Sequence, residues 1–565
     1  MLNLGNTDEL GIWMVQKIRV AIIEDNATAR ATIRSHLITM GNLEVASFST
    51  GSELKNVLRK QHFELLIFDF HLGQRRNGVE WVQALRQADF IRPSTGIIFL
   101  TADRMPQTIG QIIDIHPDLL LLKPYTINSL QRGLNHYLEY REQANKALMY
   151  LDDGYCDRAI SQVQQQLQAP LSARLRSDLE KLQARLLLQV HQYAEALDIY
   201  QRVLQQSDKV LWAQWGKLKC QFLMGNWPDC QESLDAMLDT LLTRDKAFEW
   251  LACLSFEQAA YEKTEYYLDH IQDSELSLPA TRLKTMTYQK QNRVIESIDL
   301  LQKKREYNRS TKERFDEFTF ELAEFYLSIA QNSPMNNRGE SLMQARKLAG
   351  VAARSQGDSL VRQRHDYLLA YSYVLEDQGE KARSLTHREH MQVFNRSSAN
   401  TLITAARVFS ALGNETQALY LLDMAKVKSE LGEMPAEQQT LQSRLLNAEK
   451  ESGLAHSRAD VFNEQGQQLF VKEAYQEALA AFYHALQLRP ALPAIALNML
   501  QTLLVEQQSS YRSVLLNDLV RQIDHCELSE ANQQRFVRLQ KKYPQINEVL
   551  KAATTPDAAN PVTPS

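Results

Sequence analysis

The chain has 565 residues, an apolar share of 44%, a charged share of 23% and a net charge of -5. It is too long for one domain and has the composition of a globular protein. So small a charge on so long a chain argues against a generic nucleic-acid binder, and no run approaches the ~20 apolar residues that span a bilayer.

In chain order, residues 1–16 carry Asp8 and Glu9, lack Lys and Arg, and have no long apolar core. A secretory signal needs a basic start and such a core, so this stretch reads as an N-terminal extension, with Met14 as an alternative start. Ile18 to Ile23 is then a short apolar run that ends in Glu24-Asp25. Leu65-Leu66-Ile67-Phe68-Asp69-Phe70 is a second run, Gly96 to Leu100 followed by Thr101-Ala102 a third, and Asp118 to Leu122 followed by Lys123-Pro124 a fourth. Runs of this length without alternation read as parallel strands buried on both faces. Amphipathic stretches at Ala27 to Thr39, Ser52 to Lys60, Gly78 to Gln87, Pro106 to Asp114 and Asn128 to Tyr140 complete five βα units. The expected fold is a doubly wound, five-stranded parallel α/β sheet, with its chemistry in the crevice outside the strand ends.

The strand tips carry an acidic pair, a single Asp, a hydroxyl and a Lys. Clustered carboxylates repel one another and call for a hard cation such as Mg²⁺, which takes oxygen ligands. An Asp held against that cation can accept a phosphoryl group, and a hydroxyl and an ammonium at the rim can hold the phosphoryl oxygens. With 44 positions from Asp25 to Asp69 and 22 from Thr101 to Lys123, residues 17–140 resemble a response-regulator receiver domain of two-component signalling. The resemblance implies that Asp69 is the phosphoacceptor, with Glu24 and Asp25 as metal-binding acids and the His71 backbone carbonyl as a further ligand. It also makes Thr101 the switch hydroxyl, Lys123 the phosphate-pairing cation and Lys123-Pro124 a cis peptide. Two departures stand out: the loop His71 to Gly78 lacks the usual proline and is one residue longer than in compact members, and Leu120 replaces an aromatic. In the family, the positions of His71 and Asp103 tune hydrolysis of the aspartyl phosphate.

Beyond residue 141 the strand pattern stops and helices follow one another, with the fifth receiver helix running on towards Leu151. Tyr193-Ala194-Glu195-Ala196 recurs as Trp227-Pro228-Asp229-Cys230 and Tyr261-Glu262-Lys263-Thr264, in steps of 34 residues, the period of a helix-turn-helix repeat. Phe462, Gly466, Leu469, Tyr475, Ala478, Phe482, Ala485 and Pro490 resemble a tetratricopeptide repeat, and Phe409, Ala418, Leu422 and Ala425 form a looser copy. Residues 141–550 are therefore expected to be an all-α helical-repeat solenoid, and residues 551–565, rich in Ala, Thr and Pro, a disordered tail. Lys303 to Ser341 and Lys426 to Gly453 fit the repeat poorly. The basic stretch Lys303 to Arg314 reads as a solvated helix face rather than a docking patch.

A helical solenoid offers a binding surface and no intrinsic chemistry, and residues 141–565 contain no nucleophile elbow, phosphate loop or Cys/His cluster. Cys156, Cys220, Cys230, Cys253 and Cys526 are an odd set without a Cys-x-x-Cys pair. They read as reduced thiols of a cytoplasmic protein. The sequence thus points to a phosphorylation-controlled adaptor. It would be charged at Asp69 by a histidine kinase or small phosphodonor and would bind a protein partner through its helices, with no enzyme activity beyond phosphoryl transfer to and hydrolysis from Asp69. Two rival readings are a transcriptional regulator that binds nucleic acid and a constitutive scaffold with a non-signalling receiver.

Overall fold

The structure, a computed structural model, describes residues 18–73, 76–272, 276–354, 359–430 and 435–554. The expected N-terminal extension and residues 555–565 of the expected tail lie outside the described residues. The chain forms two compact units: a first that runs to Leu186 and takes in Asn308–Arg314, and a second made of Leu187–Tyr307 and Phe315–Ser565.

In the first unit, β1 (Ile18–Ile23), β2 (Leu43–Phe48), β3 (Leu65–Phe68), β4 (Gly96–Thr101) and β5 (Leu119–Leu122) form one parallel sheet in the order β2-β1-β3-β4-β5. They alternate with α1 (Ala27–Ile38), α2 (Gly51–Leu58), α3 (Gly78–Gln87), α4 (Pro106–Asp114) and α5 (Ile127–Asp152). The apolar runs serve both faces. Ala21, Ile23, Leu66, Phe68 and Phe99 meet Trp81, Val82 and Leu85 of α3 on one side, while Val20, Ile22, Leu65, Ile67 and Leu100 meet Leu130, Leu134 and Tyr137 of α5 on the other. Each such side chain contributes roughly 1.5–3 kcal/mol by leaving water.

Register sets the position of the chemistry. Ile23 lies opposite Phe68 and Thr101 opposite Leu122, so the strand ends deliver Glu24-Asp25, Asp69 and Lys123 to one edge. Backbone pairing continues into these positions, with Asp69 N–H donating to the Ile23 carbonyl (3.0 Å) and Lys123 N–H to that of Thr101 (2.7 Å).

Helix α5 does run past Tyr140, and its extension is fastened to the sheet rather than free. Asp152 accepts from the Ser94 amide (3.0 Å) and hydroxyl (2.6 Å), and Arg141 donates to the Ser94 carbonyl (2.9 Å). Two further helices follow, α6 (Cys156–Leu167) and α7 (Ala173–Gln189). From α7, Asp178 pairs with His136 at 2.6 Å, and Lys181 and Arg185 present positive charge to the Asp118 carboxylate.

In the second unit the described residues are almost entirely helical. The aromatics expected to open second helices do so: Tyr193, Trp227, Tyr261 and Tyr475 are each the first residue of a helix. Small residues bring paired helices together. A Cβ added at Gly466 would lie 2.5 Å from the Phe482 ring, and one at Gly216 2.1 Å from that of Tyr200. The unit therefore carries the tetratricopeptide-like pairing read from the sequence.

Three features differ from a plain helical array. A two-stranded antiparallel hairpin, Ser510–Tyr511 with Val514–Leu515, interrupts it. Its Arg512 amide donates to the Gly225 carbonyl (2.9 Å), far away in sequence. Helix Pro435–Glu451, in a region that fits the repeat poorly, bonds to helices remote in sequence. The Ala436 amide donates to Glu249 (3.2 Å) and Arg444 to Glu321 and Glu324 (2.8 Å each). The basic stretch is not a solvated face throughout: Lys304 is buried and donates to the Leu276 carbonyl (3.3 Å), and Arg305 lies over the Phe315 ring. Tyr307 is the one apolar residue between Lys303 and Arg314, so no apolar periodicity in the sequence marks which cations pack inward.

Glu321 is the electrostatic centre of this unit. Its side chain is 1% exposed and pairs with Arg282 (2.5 Å), Arg364 (3.0 Å) and Arg444 (2.8 Å). Burial alone would raise its pKa, but the three guanidinium groups outweigh it and hold the carboxyl below its ordinary 4.5. Replacing Glu321 by Gln leaves buried arginines short of a counter-charge. It is expected to destabilise the unit by about 3 kcal/mol, read as faster hydrogen exchange in helices Lys312–Asn332 and Ser359–Leu375. Because the folded value is depressed, the stabilisation is present above pH 4.5 and lost as pH falls below it. The variant should therefore lose stability less steeply than the native chain on acidification.

Candidate functional site

The acidic pair sits where β1 turns into α1. Asn26 caps that helix by accepting from the Ala29 amide (3.0 Å), which fixes the turn on which Glu24 and Asp25 stand. Arg30, one turn into α1, donates to the carbonyls of Glu24 (2.5 Å) and Asp25 (3.2 Å). Glu24 is buried, whereas Asp25 is exposed. One ligand oxygen each from Glu24, Asp25 and Asp69 lies within 4.8 Å of the others.

Asp69 follows β3 directly and is mostly enclosed. Burial pushes its carboxyl pKa up; Lys123 opposes this and the neighbouring Glu24 charge adds to it. The Lys123 ammonium lies 2.6 Å from Glu24 and 3.2 Å from Asp69, at the end of β5 and just before a cis Lys123-Pro124 peptide. Thr101 is fully buried at the tip of β4, where its hydroxyl accepts from the Asp103 amide (3.1 Å). Three carboxylates so close, one of them desolvated, form a hard-oxygen set that suits a divalent cation such as Mg²⁺.

Beyond Asp69 the loop is shaped by two contacts. Asn77 and Glu80 form a capping box at the start of α3: the Glu80 amide donates to Asn77 Oδ1 (2.9 Å) and the Asn77 amide to Glu80 Oε2 (2.9 Å). Gly78 abuts Asp69, because a Cβ there would sit 2.4 Å from the Asp69 carbonyl oxygen and 2.8 Å from Phe99. Gln74 and Arg75 of the lengthened loop lie outside the described residues.

His71 and Asp103, two residues beyond Asp69 and Thr101 respectively, meet across the mouth of the site at 2.9 Å. Burial of Asp103 works the other way, but the Met105 amide, the Thr108 hydroxyl and the His71 ring hold its carboxyl below the usual range. Leu120 lies within β5, half-buried, with its place in the strand set by pairing to Phe99.

Sequence reasoning named the strand-tip residues and missed their supports. Arg30, Gly78 and Thr108 were not singled out, and neither was Asp118, which accepts from the Ile97 amide (2.7 Å) at the opposite end of the sheet. Only the Asn77-x-x-Glu80 capping spacing was a readable signal.

The comparisons agree with this geometry. Residues 20–135 match the family described as the response regulator receiver domain. Residues 20–135 are a receiver domain. A probable chemotaxis protein CheY of Rhizobium etli is 25% identical over 121 residues, which cover 21% of this chain and 92% of that protein. Among solved structures, the chemotaxis protein CheY4 of Vibrio cholerae is 23% identical over 21% of this chain and 98% of its own, with a TM-score of 0.20. The P58(IPK) TPR domain is 12% identical over 67% of this chain and 99% of its own, with a TM-score of 0.18. The helical part of the chain is thus described by its own packing. Among the described residues no helix is long and apolar enough to cross a membrane.

The closeness of Gly78 to Asp69 gives a direct test of the receiver's loop. Gly78→Ala is expected to strain the Asp69 backbone and destabilise the receiver by about 1–3 kcal/mol. Hydrogen exchange of the β3 and β4 amides would report it, and the second unit's protection should stay unchanged.

Proposed function

We propose that this protein is a response regulator that accepts a phosphoryl group on Asp69 and uses its helical unit to bind a protein partner in a phosphorylation-dependent way. The observation that carries this reading is the convergence of Glu24, Asp25 and Asp69 oxygens within 4.8 Å of one another, with the Lys123 ammonium 3.2 Å from Asp69. An Asp enclosed among like charges, with a cation donor at hand, is equipped for covalent phosphoryl chemistry.

The donor would be the phosphohistidine of a partner kinase or a small acyl phosphate. An Asp69 carboxylate oxygen forms the new bond to phosphorus as the bond from phosphorus to the donor's nitrogen or oxygen breaks, and the departing group keeps that electron pair. Glu24, Asp25, Asp69 and the His71 carbonyl would hold Mg²⁺, which, when bound, neutralises charge on the transferring oxygens. Lys123, now shared between Glu24 and Asp69, supplies an ammonium for a phosphoryl oxygen, and the Thr101 hydroxyl supplies a second donor once it rotates towards the site. Hydrolysis from Asp69 restores the carboxylate, and the paired His71 and Asp103 side chains would slow it by obstructing the approaching water.

The output follows from the charge change. A phosphoryl group carries about two negative charges and draws Thr101 and Lys123 towards it, biasing the receiver between two states. The helical unit supports a binding role because helix pairs packed through contacts such as Gly466 against Phe482 present an extended surface.

Incubation of the native chain with acetyl phosphate and Mg²⁺ should give a single phosphoryl adduct by intact mass, absent in Asp69→Asn and after chelation of the metal. An equal adduct on Asp69→Asn would sink the assignment of the acceptor. His71→Ala is expected to shorten the lifetime of the adduct severalfold, measured as decay of the phosphorylated mass after the donor is removed.

A further inference from the structure

We propose that Asn308–Arg314 is a cover held against the acceptor face of the receiver, and that it opposes cation binding at the acidic cluster until it is displaced. The inference rests on the reading that Glu24, Asp25 and Asp69 take a divalent cation. Although distant in sequence, this segment belongs to the same compact unit as the sheet. Two independent contacts place it there.

The first is an anchor. Nε and Nη2 of Arg314 both donate to Oε2 of Glu80, at 3.1 and 2.9 Å. That oxygen is the one that also accepts from the Asn77 amide in the capping box of α3, and Gly78, inside the same turn, abuts the Asp69 carbonyl. Arg314 is therefore linked to the acceptor backbone through one capped turn.

The second is a shared cavity. Ser310 and Lys312 line a space of about 460 Å³ together with Asp25, Thr50 and Gly73. Gly73 borders the cluster, since a Cβ added to it would lie 3.3 Å from Asp25 Oδ2. A cavity of this volume is about as wide as a Debye length of ~8–10 Å, so the Lys312 ammonium and a cation on Asp25 would repel one another with little screening. The anchor holds the segment that carries Lys312.

The anchor is also weak enough to release. Arg314 and Glu80 are 36% and 34% exposed, and ion pairs this accessible shift an equilibrium by roughly fivefold at most. Coupling is reciprocal: whatever factor the cover takes from cation affinity, a bound cation takes from the closure of the cover. The receiver face would thereby pass its state to the chain that follows Arg314.

The test uses the full-length chain and Mn²⁺ as probe, with calorimetric titration of the native protein, Arg314→Ala and Lys312→Gln. Each variant is expected to bind Mn²⁺ about two- to fivefold more tightly. Hydrogen exchange of residues 308–314 should accelerate in the native chain on adding Mn²⁺, and should already be fast in Arg314→Ala without it. Unchanged affinity in both variants, exchange indifferent to Mn²⁺, or no Mn²⁺ binding in any chain would each overturn the cover. Neither readout involves a phosphoryl group, so a failure of Asp69 to accept one would defeat the proposed function and leave this result to be judged by itself.

Discussion

Repulsion among three carboxylates at one edge of a parallel sheet is the constraint on which the receiver is built. Parallel register ends β1 beside β3 and β4 beside β5, so Glu24, Asp25 and Asp69 meet whether or not their charges favour it. The central strands β1, β3 and β4 supply the free energy that holds them there, since their side chains are buried on both faces of the sheet. Lys123 partly offsets the charge by reaching both Glu24 and Asp69. A group that adds or removes charge at this edge therefore acts on contacts already under electrostatic load.

The same balance recurs in the helical unit with opposite consequences. Glu321 is buried like the residues of the receiver core, but three arginines surround it. Arg444 comes from helix Pro435–Glu451, which also meets Glu249 through its first turn. Buried ion networks contribute less to stability than to the choice of which helices pair, because desolvation consumes much of their attraction. Here the network fixes a helix that breaks the repeat pattern against partners remote in sequence. Packing of small residues against rings, as at Gly466 with Phe482, does the complementary task between neighbouring helices.

Within the first unit the sheet is joined directly to the helices that follow it. Helix α5 leaves the sheet without a flexible break, and Asp152 and Arg141 tie its extension to Ser94. A rigid, doubly anchored helix transmits displacement where a Gly/Ser-rich linker would absorb it.

Much was determined by sequence alone. Uninterrupted apolar runs specify strands, buried on both faces in β1, β3 and β4 but only partly in the edge strand β5, and the polar residue after each run falls where the tips of a parallel sheet converge. The 34-residue recurrence of Tyr193, Trp227 and Tyr261 likewise specifies helix pairs, since an aromatic at a fixed turn packs the same way in each copy. What the sequence left open was decided by contacts between residues far apart in the chain. The cations from Lys303 to Arg314 have no periodic signature, and only tertiary packing buries Lys304, lays Arg305 on Phe315 and brings Arg314 to Glu80. The hairpin at Arg512 and the Glu321 network are of the same kind. Local pattern encodes what a segment does with its near neighbours, whereas a buried charge finds its partner only when the whole chain has folded and desolvation makes an unpaired ion costly.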